Sequence, residues 1–181
     1  MTEPPRLPAI VAIVGKKKSG KTTLIERLVA ELVRRGRRVG TIKHGHHFDL
    51  DAEGTDSWRH RAAGSTRTVL AGPDGYAVVG SWTEGRALGP RELTARILPD
   101  VDLVVVEGFK AEDVPKIEIF RKAAHPEPVF APGGEGAGRL IGVVTGDPAH
   151  ARAMTCPVFD PDLADLPGRL ADLVEASLLD R

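Results

Sequence analysis

The sequence predicts an α/β fold of three layers, a mostly parallel central sheet flanked by helices. Three observations predict it: a strand–helix–strand order ending at Lys43, two later β-branched runs, "DLVVVEGF" (residues 102–109) and "RLIGVVTG" (139–146), and a helical apolar pattern that closes the chain. Strand–helix–strand units join parallel neighbours through right-handed crossovers. Apolar runs without alternation suit strands buried on both faces.

The first strand is "IVAIV", residues 10–14, short and β-branched. Residues 22–35 follow with Leu24, Ile25, Leu28, Val29, Leu32 and Val33 on one helical face. Gly36 gives a C-cap signal. "RVGTIK" (38–43) is the second strand, and residues 66–72, 76–80 and 116–121 are weaker strand candidates. The Gly-rich loop 131–139 lacks phosphate-loop spacing. The tail, 162–179, places Leu163, Leu166, Leu170, Leu173 and Val174 at helical spacing. There is no internal repeat.

At 181 residues the chain is long enough for one domain with a real core, preceded by a flexible start over residues 1–8. Hydrophobic residues make up 41% and charged residues 28%, which argues against a disordered chain. The 25 basic and 25 acidic residues balance, so neither nucleic acid nor a membrane surface is an expected partner. No apolar run is long enough to span a bilayer, and "MTEPPRLP" lacks the basic start and apolar core of a signal peptide. The single cysteine, Cys156, excludes an internal disulfide and fits a reducing cytosol. The expected location is cytoplasmic.

The most informative stretch is "GKKKSGKTT", residues 15–23, which fits G-x-x-x-x-G-K-[ST] at Gly15, Gly20, Lys21 and Thr22. Glycines let backbone N–H groups turn inward around a β-phosphate, Lys21 reaches the β/γ-phosphates, and the Thr22 hydroxyl ligates Mg²⁺. The motif leaves a strand and opens a helix, the context this chemistry requires. The expected ligand is therefore a nucleoside triphosphate. The phosphate-binding set is Gly15, Lys16, Lys18, Ser19, Gly20, Lys21, Thr22 and Thr23, with Lys21 also catalytic. Lys16 resembles the signature lysine of MinD-like proteins, which reaches across a dimer. Alternatively Lys16, Lys17 and Lys18 only raise the local positive potential.

A metal beside such a loop needs an acidic partner. Asp102 opens its strand and Glu107 ends it, ~16 Å apart at about 3.3 Å per residue. In a parallel sheet ligands gather at the carboxyl ends, so Glu107, not Asp102, joins Thr22 as the expected metal-binding pair, directly or through water. Residues 41–65 leave the second strand where a switch loop would reach a γ-phosphate. Asp49 and Asp51 there are candidates to hold a metal-bound water or orient the attacking one. His44, His46 and His47 raise a metal site, which the lack of cysteines weakens. Asp56 reads as a helix N-cap, and Arg59 and Arg61 either bind an anion or form a solvated face. "VVTGDP" offers Asp147 as a reader of guanine, or as a turn residue before Pro148.

Together "GKKKSGKTTLIERLVAEL", "VGTIKHGHHFDLDAEGTDSWRHRAAGS" and "DLVVVEGFK...PKIEIFR" resemble the molybdopterin-guanine dinucleotide biosynthesis protein B (MobB) family, over about residues 10–145. The resemblance implies a SIMIBI-class P-loop fold, GTP and Mg²⁺ as ligands, weak GTPase activity and a homodimer. It also implies molybdopterin as a ligand and partnership with the MobA-like guanylyltransferase that attaches GMP to molybdopterin. The residues it carries over are Gly15, Gly20, Lys21, Thr22, Asp49, Asp51 and Glu107. Two other classes compete: a small-molecule kinase or ligase, since "VEGF" also resembles the metal-binding strand of dethiobiotin synthetase, and a nickel-delivery GTPase, suggested by the histidines. The kinase needs an acceptor pocket with a base, and the nickel protein a Cys-Pro-His site or His-rich tail.

Overall fold

Strand β1 (Ala9–Val14) shows why the sheet is a middle layer. Val11 and Ile13 enter one apolar cluster, while Ile10, Ala12 and Val14 enter another. Side chains alternate across a strand, so one that is apolar at every position must be covered on both faces. The structure, a computed structural model, describes residues 7–45, 51–82, 85–134, 136 and 139–180. In chain order the elements after β1 are α1 (Lys21–Arg34), β2 (Val39–Lys43), α2 (Asp56–Ala62), β3 (Arg67–Gly72), β4 (Gly75–Gly80), α3 (Pro90–Ile97), β5 (Leu103–Glu107), β6 (Lys116–Phe120), β7 (Leu140–Thr145), α4 (Pro148–Ala153), β8 (Val158–Phe159) and α5 (Leu166–Leu178).

The chain divides into two compact units, one of Met1–His44 with Gly89–Arg181 and one of Gly45–Leu88. In the first, six strands run in the order β2-β5-β1-β6-β7-β8, and every pairing is parallel. The α/β architecture with a mostly parallel sheet is therefore the observed one. Ile13 and Lys43 both lie opposite Glu107, so the carboxyl ends of β1, β2 and β5 are level.

Helix α1 buries Leu24, Leu28 and Leu32, one residue per turn on one stripe, against the sheet and α5. Leu166, Leu170 and Val174 of α5 answer them. A fully buried leucine contributes about 1.5–3 kcal/mol, whereas an exposed ion pair contributes ~0–1. The apolar seam therefore dominates, and Arg35 adds orientation by bonding Glu31, Asp172, Glu175 and the carbonyl of Gly168. The predicted tail helix begins later than expected, at Leu166. Residues 162–165 form turns instead, with the Asp162 N–H donated to Asp160 Oδ1 and Pro167 set at the helix start.

The second unit pairs α2 with an antiparallel hairpin, β3 against β4. Two of the weak strand candidates thus form their own sheet. Val69 lies opposite Val78 and Ala71 opposite Tyr76, one apolar face on which Val69, Tyr76 and Val78 are exposed. The expected N-cap of α2 is corrected by one residue. Thr55 caps it, its Oγ1 accepting from the Trp58 N–H, and Asp56 is the first helical residue. Among the described residues no helix is long and apolar enough to cross a membrane.

Candidate functional site

The turn from β1 into α1 is shaped by two glycines. A Cβ on Gly15 would lie 2.6 Å from the Ile119 carbonyl oxygen, so only glycine lets the chain pass β6 there. Gly20 sits at φ 97° and Lys18 at φ 64°, the left-handed region that turns the backbone back on itself. Helix α1 then begins without a side-chain cap and without an acidic residue in its first turn. Its leading N–H groups and the positive end of its dipole are left for an anion.

Lys21 Nζ donates to the Lys16 carbonyl at 2.8 Å, folded back over the loop. Burial lowers the Lys21 pKa, nearby Glu107 raises it, and Lys43 lowers it again. Ser19 is buried, and among the described residues its Oγ has no hydrogen-bond partner. Lys17 and Lys18 are exposed, and Lys16 is half-buried. Thr22 and Thr23 open the helix beside Lys21 and are exposed.

Glu107 ends β5 on the same side of the sheet as this loop. Its Oε2 lies 3.4 Å from Thr22 Oγ1 and 3.6 Å from Lys43 Nζ. The chain turns sharply after it, through Gly108 at φ 96° and Phe109 at φ 53°, with His44 against the Phe109 ring at 4.5 Å. Asp102, by contrast, is bound at the opposite strand end by the Arg38 N–H and guanidinium, at 2.8 and 2.7 Å, and that pairing lowers its pKa. A hydroxyl and a carboxylate at this spacing are hard oxygen donors, which suit Mg²⁺ completed by phosphate oxygens and water. The orphaned Ser19 hydroxyl and the tight passage at Gly15 suit a phosphate. The residues present fit both groups.

Other expected residues are placed differently. Asp51 is held within the second unit by Arg61 at 2.7 Å, Ser57 at 2.7 Å and Thr55 at 3.1 Å, and the Ser57 hydroxyl leads the lowering of its pKa. Arg61 is thus an internal partner of Asp51, while Arg59 makes an exposed pair with Asp56 at 3.8 Å. Asp49, His46 and His47 lie outside the described residues. Among the described residues no group of three His, Cys, Asp or Glu side chains is placed to hold a metal. Asp147 is the N-cap of α4, its Oδ1 accepting from the His150 N–H at 2.7 Å.

Sequence reasoning passed over Lys43, Lys122, Glu118 and His150. Lys122 Nζ lies 3.4 Å from Asp147 Oδ2. Glu118 is fully buried, its Oε1 accepting from the Val129 N–H at 2.5 Å, and burial raises its pKa. His150 is buried against the Phe120 ring, edge-on at 4.9 Å, and burial lowers its pKa. None of the four carried a signal in the sequence, and Glu118 lies in "KIEIF", whose alternation reads as that of a half-solvated strand.

Comparison with known proteins places this geometry in a family. The family model described as molybdopterin guanine dinucleotide synthesis protein B matches residues 10–145. The chain is 42% identical over 120 residues to the molybdopterin-guanine dinucleotide biosynthesis adapter protein of Haemophilus influenzae, covering 62% of this chain and 64% of that one. It is 37% identical over 121 residues to the adapter protein of Escherichia coli, covering 66% and 69%. The match to the Haemophilus protein thus spans a little under two thirds of that relative. The crystal structure of Bacillus subtilis MobB superposes with a TM-score of 0.67 at 27% identity, covering 96% of this chain and 99% of that one. A second crystal structure, of molybdopterin-guanine biosynthesis protein B, gives 0.69 at 28% identity, covering 93% and 97%. With most of the chain matched, and the glycine loop and Glu107 both inside the matched segment, the chain belongs to the molybdopterin guanine dinucleotide synthesis protein B family.

Proposed function

We propose that this protein is a GTP-binding adapter in the synthesis of molybdopterin guanine dinucleotide, acting beside the guanylyltransferase that attaches GMP to molybdopterin. The observation that carries the nucleotide half is the approach of Glu107 to Thr22 at the mouth of the glycine loop. The names of the relatives, which are adapter proteins of that synthesis, carry the other half.

In this reading the β- and γ-phosphates sit on the N–H groups of residues 15–23, and Lys21 exchanges the Lys16 carbonyl for a phosphate oxygen. The Thr22 hydroxyl and Glu107 carboxylate hold Mg²⁺. The bound ion neutralises phosphate charge. Lys43 Nζ, 3.6 Å from Glu107 Oε2, holds that carboxylate in place. Hydrolysis is slow. The proposed water-orienting residues are Asp49 and Asp51, and the Asp51 carboxylate is already committed to Arg61, Ser57 and Thr55. The protein works in the cytoplasm as a homodimer, and the exposed apolar face of the β3–β4 hairpin is the surface proposed for its self-association.

Calorimetric titration with GTP, ATP and molybdopterin, singly and with the guanylyltransferase present, tests the proposal. Mg²⁺-dependent GTP binding together with a complex with the transferase supports it. Absence of both overturns it.

A further inference from the structure

One oxygen of Glu107 meets two side chains, and only one of them belongs to the glycine loop. Its Oε2 lies 3.4 Å from Thr22 Oγ1 and 3.6 Å from Lys43 Nζ. Lys43 ends β2 and lies opposite Glu107 in the parallel register. The strand order β2-β5-β1 puts β2 two strand spacings, each about 4.8 Å, from the strand that leads into the loop. Side chains alternate along a strand. Leu103 and Val105 of β5 enter the cluster beneath α1, and Val39 of β2 packs against it. Glu107 and Lys43 lie an even number of residues further on, so both point to the α1 side, where Lys21 and Thr22 open the helix.

The fold does not account for an ammonium at this place. The Lys43 side chain is 62% exposed, and an ion pair that open contributes little to stability. It enters neither apolar cluster. It also works against its neighbour: burial lowers the Lys21 pKa, Glu107 raises it, and Lys43 lowers it again. One carboxylate thus answers two lysines, and Mg²⁺ would enlarge the excess of positive charge. A bound anion offsets that excess, and a terminal phosphate brings charge that a diphosphate lacks. An ammonium has three N–H donors, so Lys43 can keep one on Glu107 and offer another.

We propose that Lys43 is a second phosphate-binding lysine, which donates to the terminal phosphate of a bound nucleoside triphosphate and raises the affinity for triphosphate over diphosphate. Lys21 grips the phosphates from the glycine loop. Lys43 reaches them from β2, and Glu107 stands beside both. The inference deepens the nucleotide reading above and rests on it.

The test measures the affinities of GDP and of the non-hydrolysable β,γ-imido analogue of GTP, both with Mg²⁺. The proteins are the full-length wild type, Lys43→Met, Lys43→Arg, Glu107→Gln and the double variant Lys43→Met with Glu107→Gln. Methionine keeps the aliphatic stem at an exposed position, so the fold is retained. The expected result in Lys43→Met is a loss of about tenfold or more for the analogue, the size of a charge-assisted hydrogen bond. GDP affinity falls by about threefold at most, the share that passes through Glu107. Lys43→Arg, which keeps the charge and the donors, restores most of the loss. In the Glu107→Gln background Lys43→Met still weakens the analogue, because the bond runs to phosphate and not through the carboxylate. A loss shared equally by GDP and the analogue, or one that vanishes in that background, makes Lys43 a positioning residue for Glu107 and overturns the proposal while the nucleotide reading stands. Unchanged affinities in Lys43→Met overturn it as well. A wild type that binds neither nucleotide overturns the nucleotide reading, and the proposal falls with it.

Discussion

Thr22 Oγ1 lies 3.4 Å from Glu107 Oε2 although 85 residues separate them in the chain. Two parallel strands with level carboxyl ends, β1 and β5, bring them together. One leads into the glycine loop and the other ends in the carboxylate. The contact joins the two oxygen donors that the proposed Mg²⁺ site requires.

Glu107→Gln is expected to weaken Mg²⁺-dependent GTP binding by about tenfold or more, ~1.4 kcal/mol. Asp102→Asn, at the opposite strand end, is expected to leave binding within about twofold and to lower stability by loosening Arg38. Titrations with and without Mg²⁺ on both variants check this. Equal losses in the two variants contradict the assignment of Glu107.

Gly15→Ala is expected to destabilise the protein by about 1–3 kcal/mol, because the added methyl meets the Ile119 carbonyl oxygen as well as the Ser19 hydroxyl, and the backbone oxygen cannot turn away. Urea denaturation checks the loss, and GTP affinity should fall with it. A stable variant with normal binding would show that the loop can move away from Ile119.

Arg35→Ala is expected to lower the urea midpoint by freeing α5 from the end of α1, while GTP binding by the folded protein stays unchanged. The reason is that Arg35 bonds Asp172, Glu175 and the Gly168 carbonyl of α5. A change in nucleotide affinity would place the network in communication with the site, which its position does not suggest.

Glu118→Gln tests the buried carboxyl through pH. Burial raises its pKa above the ordinary 4.5, so the folded state holds the proton more tightly than the unfolded chain does. Its stabilising contribution is complete below 4.5 and is lost as pH rises through the raised value. Glutamine still accepts from Val129 but does not titrate, so the variant should gain stability relative to wild type as pH rises above 4.5. The neighbouring His150 gives the opposite slope as pH falls below 6.5, and it is present in both proteins. Lys16 and Cys156 complete the charged and titratable surroundings of Glu118. Urea titrations at pH values from 4.5 upward decide it, and a pH-independent difference contradicts the raised pKa of the buried carboxyl.

Local chemistry explains what could be read before the structure. The strand, glycine loop and helix of residues 9–34 announce themselves because turn geometry and apolar spacing agree there. Glu107 could be chosen over Asp102 because a parallel sheet has a ligand end. β6 misleads for an equally physical reason. "KIEIF" alternates polar and apolar residues as a half-solvated strand does, yet Lys116 and Glu118 are 2% and 0% exposed. Lys116 reaches the carbonyls of Glu112 and Val114, and Glu118 reaches the Val129 N–H, so each polar side chain answers an irregular segment that no periodicity reveals. Lys122 and His150 were invisible for the same reason. Asp147 was legible both as a helix cap and as a ligand reader, and the structure shows the cap.

The central claim is that residues 15–23 bind a nucleotide's phosphates through Lys21. The direct measurement is calorimetric titration of Mg²⁺–GTP into the wild type and Lys21→Ala. Lys21 is the first residue of α1 and packs into no apolar cluster, so the variant should remain folded. Binding by the wild type and none by the variant is the expected result. GTP affinity in Lys21→Ala within about twofold of wild type, below ~0.4 kcal/mol, would contradict it.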